Sequence, residues 1–531
     1  MKKYHKHNRS FFVGALVSIF ISTVFAVVLQ FFKGDVLDYA IAGELSATVK
    51  YAVLLIAFIL GEVLFYFGYK QFNARFVVGC TKLLKRDIFE SIIGRGFVEY
   101  KNLPQGEYIA KYTNEADTIK ARRFQMLPMF WEILFKIIFV SIALFVLDWR
   151  IALITIVLLT TPLYIPKLIE KRLQTAQTEY LKAVEMNLAK VNDWLIGFEI
   201  IKNFSIERNI LSKFDEANDL TMEKLLRDTM LGAVSQLITT LISYLSYFVV
   251  LVFAIWLVLK GDFSAGDFFV AIGMIDQLSY PLISLAEIIR QLVAIKPSCR
   301  AIEQFIAEGS RMSSEKALTS LTDGISYHNV TFAYPDQQPV LRNFCFEAKK
   351  GKRYLIKGPS GCGKTTAVNL LLRYYDINDG SIEVDGVPLS EYGNTYDCMT
   401  VVRQEAVLFH DSLRNNLTMY QDISDDRLIR MLNGLGLSKF ANEHSLDEEI
   451  TENGANLSGG EKKRICLARA LLRDTDVLIL DEPLANLDEA TACKIEDLLL
   501  SITGKLMLVV SHQFSEEKLK QFDAVVTLHN T

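Results

Sequence analysis

The stretch LSGGEKKRICLARALLRDTDVLILDE occupies residues 457–482 and decides the fold of the region around it. It opens on a Ser-Gly-Gly-Glu element and closes on an apolar run, Val477–Leu480, which leads directly into Asp481 and Glu482. A short apolar run of this kind is typical of a strand buried in a parallel sheet. Two carboxylates at the end of such a strand have little structural purpose, so they indicate a reactive site. The stretch therefore predicts an α/β domain with its chemistry at a strand end.

A glycine-rich loop lies upstream, with the sequence GPSGCGKT at residues 358–365. It matches the phosphate-binding pattern G-x-x-x-x-G-K-[ST] and lies between a predicted strand at 353–357 and a predicted helix at 366–375. Backbone N–H groups and a helix N-terminus at such a turn bind phosphate. Cys362 occupies a variable position of the pattern and has no separate role. We expect ATP to contact Gly358, Pro359, Ser360, Gly361, Cys362, Gly363, Lys364, Thr365 and Thr366.

The residue types in the loop and at the strand end suit ATP hydrolysis. Lys364 would bridge the β- and γ-phosphates, while Thr365 and Asp481 would hold Mg²⁺. Glu482 would act as the general base that polarises the attacking water. The alternative is that Glu482 caps a helix before Pro483. We favour the catalytic role because the paired acids follow a buried strand.

Apolar residues make up 51% of the chain, but they are concentrated in its amino-terminal part. The first apolar run begins after Arg9 and is too long for the core of a secretory signal peptide. Six runs approach the roughly 20 residues that cross a bilayer as a helix. They lie at about 11–32, 51–70, 127–148, 151–170, 232–259 and 268–290.

The connections between these spans differ in charge. Those at 73–126 and 171–229 are long and rich in lysine and arginine, whereas the loop at 33–50 carries three acidic residues beside two lysines. Basic connections stay on the cytoplasmic side, so both termini and the α/β domain are expected in the cytoplasm. The long connections have helical apolar spacing and should extend the membrane helices before folding back.

Together these patterns predict an all-α six-helix transmembrane domain with long cytoplasmic helical extensions, plus a C-terminal α/β P-loop NTPase domain with a helical subdomain. The domains are expected at 1–305 and 324–531, joined by a linker at 306–323. A net charge of −4 gives no electrostatic reason to expect nucleic acid as a partner. Seven scattered cysteines without a C-x-x-C pair indicate reduced thiols.

From about residue 11 to its end, the chain resembles a half-transporter of the ATP-binding cassette (ABC) exporter superfamily. The resemblance implies that Tyr334 stacks on adenine, that Gln404 contacts Mg²⁺ and senses the membrane domain, and that His512 is the switch histidine. For Tyr334, simple packing in a turn is the alternative. The resemblance also implies a signature that clamps the γ-phosphate of ATP bound by a second subunit, formed by Leu457, Ser458, Gly459, Gly460 and Glu461.

Further stretches match motifs of the same superfamily. Residues 408–416 resemble the segment that follows the glutamine, and residues 486–488 resemble the loop that links the two ATP sites. Residues 106–119 and 201–207 resemble the two coupling helices, which in the family dock on the nucleotide-binding domains. Residues 452–454 resemble the loop that touches those helices.

Two departures from the family pattern remove no catalytic group. Glu461 stands where the family often has glutamine, and Ala485-Asn486-Leu487-Asp488 stands where it often has Ser-Ala-Leu-Asp. Because the motifs are intact, the expected partner is a second copy of this chain. A different half-transporter is the alternative, and an ATP-gated channel or membrane regulator is a third reading. The six spans exclude a soluble cassette ATPase.

The sequence says little about the cargo. Glu132 and Lys136 stand four residues apart in span three, which favours an ion pair over a substrate contact. Asp276, with Gln277, is the better candidate for the substrate cavity. The resemblance implies a hydrophobic or amphipathic small molecule, a lipid or a peptide as substrate, and a bacterial cytoplasmic membrane as the location.

Overall fold

A computed structural model describes residues 1–161, 165–309, 316–335, 337–359, 361–451, 454–485, 488–512, 514 and 516–528. The chain divides into two compact units. The helical unit comprises Met1–Phe89 and Gly106–Ile306, and the sheet unit comprises Glu90–Gln105 and Ala307–Thr531. The predicted fold class, a helical domain followed by an α/β domain, is confirmed. The division differs from the predicted boundary because residues 90–105 group with the second unit.

The first part of the chain is helical. In chain order its helices are α1 (Lys2–His7), α2 (Arg9–Ile41), α3 (Leu45–Ile93), α4 (Phe97–Lys101), α5 (Gln105–Ala110), α6 (Ala116–Ile119), α7 (Met126–Leu147), α8 (Trp149–Thr160), α9 (Ile165–Ile196), α10 (Phe198–Asn203), α11 (Glu207–Lys260), α12 (Ala265–Ala294) and α13 (Lys296–Gly309). Two π-helical turns, Lys111–Glu115 and Lys120–Phe124, flank α6.

Among the described residues, four helical stretches are long and apolar enough to cross a membrane: Arg9–Ile41, Leu45–Ile93, Gln105–Leu147 and Glu207–Lys260. The spans predicted first, second and fifth lie inside them, and the third exceeds its stretch by one residue, Asp148. The sixth predicted span lies inside α12. The fourth covers most of α8 and the start of α9, and its residues 162–164 lie outside the described residues.

The turn between α7 and α8 differs from the prediction, which gave it to Trp149 and Arg150. Both residues lie inside α8, and only Asp148 separates the helices. Its carboxylate accepts hydrogen bonds from the backbone N–H groups of Arg150 and Ile151, at 2.7 and 3.3 Å. An acidic side chain that caps a helix in this way satisfies orphan N–H donors, so the hairpin needs no longer loop.

The core of the helical unit lies among α2, α7, α8, α11 and α12 and is almost wholly aliphatic. Its members include Val27, Val140, Leu144, Ile151, Val250, Leu257, Met274, Ile275 and Leu278. A close approach of α2 and α12 requires glycine, since a Cβ on Gly266 would lie 2.4 Å from the carbonyl oxygen of Gly34. Small residues at helix crossings allow such contacts in membrane bundles.

The second long connection has the predicted form. α9 and α11 pack along each other, and the chain reverses between them through Gly197 and the short helix α10. The exposed apolar side chains of this turn include Phe198, Ile200 and Phe204. The first long connection reverses through α4, which belongs to the sheet unit.

The sheet unit alternates strands and helices. In chain order they are β1 (Lys316–Ala317), β2 (Gly324–Phe332), β3 (Leu341–Lys349), β4 (Arg353–Lys357), α14 (Lys364–Leu371), β5 (Asp379–Val384), β6 (Val387–Pro388), β7 (Tyr392–Asn394), β8 (Met399–Val402), β9 (Asp411–Ser412), α15 (Leu413–Thr418), α16 (Asp425–Gly434), α17 (Glu443–Leu446), β10 (Glu449–Ile450), α18 (Gly459–Leu472), β11 (Val477–Asp481), α19 (Glu489–Ser501), β12 (Leu506–Val510), α20 (Glu516–Leu519) and β13 (Ala524–Thr527).

A parallel sheet organises this unit, with strand order β13-β4-β12-β11-β8. Every residue of β11 and β12 is buried, which explains their uninterrupted apolar sequences. An antiparallel sheet, β3-β2-β5-β6, contributes to one core with β4 and α14. A second core joins the helices between Leu413 and Leu472 to β11 and forms the predicted helical subdomain.

The predicted linker at 306–323 is corrected at both ends. Residues 306–309 continue α13, and β1 pairs with β7. Leu318 and Leu321 are 4% and 0% exposed because they pack into the core of the sheet unit. Residues 310–315 lie outside the described residues.

Candidate nucleotide site

Four neighbouring parallel strands end at the same edge of the sheet, and each is followed by predicted site residues. β4 leads into the glycine-rich loop, and β8 leads to Gln404. β11 ends at Asp481 and precedes Glu482, while His512 follows β12. Because carboxyl ends of parallel strands form the usual ligand crevice of an open α/β sheet, these residues share one site.

The glycine-rich loop closes tightly on its own backbone. Gly358 has a φ of +152°, and a Cβ there would lie 2.4 Å from the carbonyl oxygen of Leu528 and 2.6 Å from the Cys362 Sγ. The Lys364 ammonium donates to the carbonyl oxygens of Gly358 and Pro359, each at 2.8 Å. Ser360 lies outside the described residues. The loop thus brings a fixed cation to the start of α14.

The N-terminus of α14 is suited to phosphate. Gly363 caps it with a φ of +95° and offers no side-chain acceptor, so the first N–H groups of this eight-residue helix depend on other partners. The helix ends at Leu371, earlier than predicted, because Arg373 adopts a left-handed φ of +54°. Tyr374 and Tyr375 therefore lie beyond the helix, where their rings pack against Phe97 and Tyr334, respectively.

Two oxygen donors stand together beside the loop. The Thr365 hydroxyl donates to the Asp481 carboxylate at 3.2 Å. Burial raises the pKa of Asp481, although Thr365 and the cations Arg403 and Lys364 oppose the rise. A hydroxyl and a carboxylate are ligands that Mg²⁺ prefers, so the donor set fits this ion.

Glu482 and His512 are neighbours at the same edge. The His512 Nε2 lies 3.7 Å from a Glu482 carboxylate oxygen, and Glu482 is the more buried of the two. Glu482 has a positive φ of +50°, and its backbone N–H donates to the Val510 carbonyl at 2.8 Å. Gln404 is exposed two residues beyond β8, whose Val402 is in register with Leu480.

Tyr334 lies next to α14, the helix that follows the glycine-rich loop. Its hydroxyl hydrogen-bonds the Thr366 hydroxyl at 3.1 Å, and its ring packs edge-on against Phe332 and Tyr375, with centroids 5.0 and 5.2 Å apart. The side chain is half-buried. The tyrosine therefore packs locally and also borders the nucleotide loop.

The signature forms the start of α18. Ser458 caps this helix: its hydroxyl accepts from the Glu461 N–H at 3.3 Å, and the Glu461 carboxylate accepts from the Ser458 N–H at 2.9 Å. Lys439 pairs with Glu461 at 2.5 Å. Although burial alone would raise it, the ion pair and the cap lower the pKa of Glu461 to about 2. Ser458 and Gly459 are exposed, and a Cβ on Gly459 would meet open space.

The capping geometry accounts for one departure from the family pattern. Glutamate and glutamine serve equally as the third residue of a capping box. Glu461 therefore preserves the helix start and adds the ion pair with Lys439. Residues 452, 453, 486 and 487 of the other predicted motifs lie outside the described residues; Asp488 caps α19 by accepting from the Thr491 N–H at 2.9 Å.

The residues that resemble the first coupling region form short helical elements. Residues 106–119, to which it was assigned, form α5, a π-helical turn and α6, and Tyr108, Ala116 and Ile119 are buried. The short helix α4, just before them, belongs to the sheet unit, where Phe97 stacks on Tyr374 with centroids 3.9 Å apart and planes inclined by 11°. In the sequence, the signal for this contact is that Phe97 is an aromatic residue between two glycine-containing breaks.

The contact of Phe97 continues towards the predicted glutamine. The Arg403 guanidinium lies 5.0 Å from the centroid of Tyr374, and it donates to the Asn369 side-chain oxygen on α14 at 2.7 Å. Arg403 immediately precedes Gln404. A groove of about 610 Å³ adjoins these residues and is lined by Tyr374, Val401, Arg403, Val407, Met419 and Arg469.

Comparison with known proteins defines the class. The sequence model of the ABC transporter transmembrane region matches residues 10–282, and that of the ABC transporter domain matches residues 341–485. The chain belongs to the ABC transporter family. It is a multi-pass membrane protein of the exporter type that couples ATP hydrolysis to transport.

Its relatives are bacterial exporters. The chain is 25% identical over 460 residues to an ATP-dependent lipid A-core flippase of Syntrophus aciditrophicus, covering 84% of this chain and 75% of that protein. It is 25% identical over 560 residues to the putative multidrug export ATP-binding/permease protein YgaD of Bacillus subtilis, covering 100% and 94%. A bacterial Atm1-family ABC exporter solved with ATP bound shares the fold, with a TM-score of 0.80, 21% identity and coverage of 98% and 94%.

Proposed function

We propose that two copies of this chain form an exporter whose ATP sites lie between the copies, and that ATP closure moves an amphipathic, lipid-like substrate outward across a bacterial cytoplasmic membrane. The observation that carries the proposal is the exposed start of α18. Ser458 and Gly459 are exposed at this end of the helix, and a helix N-terminus attracts phosphate. A second copy would supply the phosphate from its glycine-rich loop.

Each copy would contribute distinct groups to one site. Lys364 and the N-terminus of α14 would hold the phosphates, and Thr365, Asp481 and Gln404 would hold Mg²⁺. Mg²⁺ held by these residues would neutralise negative charge on the phosphates. Glu482 would orient and deprotonate water, and His512, 3.7 Å away, would stabilise the reacting phosphate. Tyr334 would turn its ring to the adenine.

The two cytoplasmic turns would couple this site to the membrane helices. In one copy, motion of α4 would reach Gln404 through the stack of Phe97, Tyr374 and Arg403. The turn at α10 exposes Phe198 by 56%, Ile200 by 60% and Phe204 by 73%. Such an apolar tip needs a partner surface, and the groove of about 610 Å³ on the second copy has suitable size.

The membrane helices would carry an amphipathic substrate. Lys136 and Glu132 form the expected ion pair at 3.2 Å, and Tyr69 hydrogen-bonds Glu132, so these side chains serve structure first. Asp276 is exposed on α12 and Gln277 is half-buried beside it, which leaves both available to a cargo. Several relatives are named as lipid A-core flippases, and that name motivates the lipid-like class.

The test uses the full chain reconstituted in phospholipid vesicles with and without lipid A. We expect lipid A to stimulate ATPase activity and ATP to drive a headgroup-labelled lipid to the opposite leaflet, detected by quenching from outside. Chain with Glu482→Gln serves as the control. Ion currents without net lipid movement would contradict the proposal in favour of a channel, and absence of ATPase activity in the purified single chain would contradict the homodimer.

A further inference from the structure

Lys463 is a buried cation that the nucleotide-site motifs do not explain. It lies on α18, five residues after Ser458, and is 5% exposed. Its ammonium donates a hydrogen bond to the backbone carbonyl oxygen of Glu482. Burial lowers the pKa of Lys463, while the nearby carboxylates of Glu482 and Asp481 oppose that change. A buried ammonium is costly, so its placement beside the catalytic acids needs a reason.

The carbonyl that Lys463 binds belongs to a strained residue. Glu482 has a φ of +50°, a left-handed conformation that is unfavourable for a residue with a side chain. Its N–H is fixed to Val510 at 2.8 Å, and its carbonyl also accepts from the Ala485 N–H at 3.3 Å. The backbone of Glu482 is therefore tied to β12 on one side and to α18 on the other. These ties restrict the direction of its Cα–Cβ bond.

The position of Lys463 along α18 matters as much as its contact. From Ser458 to Lys463 the helix rises only about 7.5 Å, at 1.5 Å per residue. The helix is continuous over this distance, so a displacement at its start moves Lys463 with it. In the proposed dimer the start of α18 touches the phosphate of one ATP, whereas Glu482 of the same chain acts on the other.

We infer that Lys463 is a positioning residue that transmits the state of one ATP site to the hydrolytic carboxylate of the other. When α18 captures phosphate, the ammonium holds the backbone of Glu482 in its left-handed conformation and aims the carboxylate at water. The inference rests on the proposed function, because it needs two shared sites. Lys463 touches neither substrate nor nucleotide in this account.

Two substitutions separate the parts of this role. Lys463→Met keeps the length of the apolar stem but removes the donor, and Lys463→Gln keeps a shorter, uncharged donor. Lys494→Met is the matched control, because Lys494 is exposed on α19. Full chains in vesicles are compared for kcat, KM for ATP, the Hill coefficient for ATP, binding of a fluorescent ATP analogue and the unfolding temperature.

We expect Lys463→Met to lower kcat by about 10-fold to 100-fold with little change in KM, as misplacement of a catalytic group does. The Hill coefficient should fall because the two sites no longer communicate, and Lys463→Gln should recover part of both. Lys494→Met should match the wild type. Nucleotide binding and the unfolding temperature should be retained in all three.

Two results would overturn the inference. In the first, Lys463→Met keeps wild-type kcat and cooperativity. In the second, both position-463 variants lose activity only in proportion to lost nucleotide binding or folding, which is a purely structural role. Failure of the proposed function is distinguishable, because the wild type would then lack cooperative ATP turnover and Glu482→Gln would have no effect.

Discussion

The sheet unit carries two regions that we propose bind phosphate, and they differ in how they are completed. The glycine-rich loop finds its partners within the chain: Lys364 binds loop carbonyls, and Thr365 bonds to Asp481. The signature caps its own helix through Ser458 and Glu461 and pairs with Lys439, and a Cβ on Gly459 would meet open space. The difference is the one that the proposed function requires, in which the chain completes one half of an ATP site and offers the other half to a neighbour.

In the part of the proposed ATP site next to the glycine-rich loop, Glu482→Gln should reduce activity most. The amide keeps the shape of the side chain but cannot accept the proton, so kcat should fall by about 10²–10⁴-fold. ATP binding should persist, because Lys364 and the N-terminus of α14 are untouched. Phosphate release from the reconstituted chain measures turnover, and a fluorescent nucleotide measures binding. Turnover close to that of the wild type would remove Glu482 as the base.

Ser458→Ala tests the proposed contact between the signature and phosphate. Loss of a hydrogen bond to a charged phosphate reduces binding by about 1.5–3 kcal/mol, so the KM for ATP should rise by about tenfold or more. The lost cap should also reduce the free energy of unfolding by about 1 kcal/mol. Kinetics and denaturant unfolding measure these effects. Ser458→Thr keeps a capping hydroxyl and is the control; equal kinetics for both variants would contradict a phosphate contact.

Phe97→Ala tests whether the contact between α4 and Tyr374 couples the ATP site to the membrane helices. The stacked pair with Tyr374 contributes about 0.5–1.5 kcal/mol beyond burial, which is about 2-fold to 13-fold in an equilibrium constant, so basal ATPase activity should fall by no more than about tenfold. Stimulation by lipid should disappear, because α4 no longer contacts Tyr374. Val98→Ala on the exposed face of the same helix is the control. Normal stimulation in Phe97→Ala would show that coupling bypasses this contact.

The smallest expected effect concerns the ion pair at the signature. The folded chain lowers the pKa of Glu461 from 4.5 to about 2, so the pair with Lys439 stabilises the folded chain above pH 4.5 and is lost as the pH falls towards 2. Glu461→Gln should lower the unfolding temperature slightly at pH 7, and the difference from the wild type should vanish at acidic pH. Lys439→Gln should behave alike. A difference independent of pH would exclude the pair as its cause.

Local sequence patterns predicted the parts of the site whose chemistry is contiguous. The strand at 353–357, the loop after it and the acidic end of β11 were each readable, because an apolar run and a motif lie side by side. The same holds for the alternation of long apolar helices. Local pattern also failed at definable places. Asp148 replaces a two-residue loop by capping α8, a side-chain effect that hydrophobicity does not register.

Contacts distant in sequence were beyond local patterns. Lys463 and Glu482 are nineteen positions apart, and nothing around Lys463 distinguishes it from the neighbouring basic residues of α18. Phe97 and Tyr374 are in contact although most of the helical unit lies between them in the sequence. Leu318 and Leu321 looked like linker residues because their partners, such as those in β7, lie far along the chain.

The central claim is that the signature of one copy completes the ATP site of another. In full chains with Glu482→Gln and Cys345→Ser, the remaining exposed thiol, Cys493, accepts a spin label, and pulsed dipolar spectroscopy measures the distance between the two copies. ATP should shorten this distance, and adding Ser458→Arg should abolish the shortening while each chain still binds nucleotide. An unchanged distance with ATP, or the same shortening in the Ser458→Arg chain, would contradict the account.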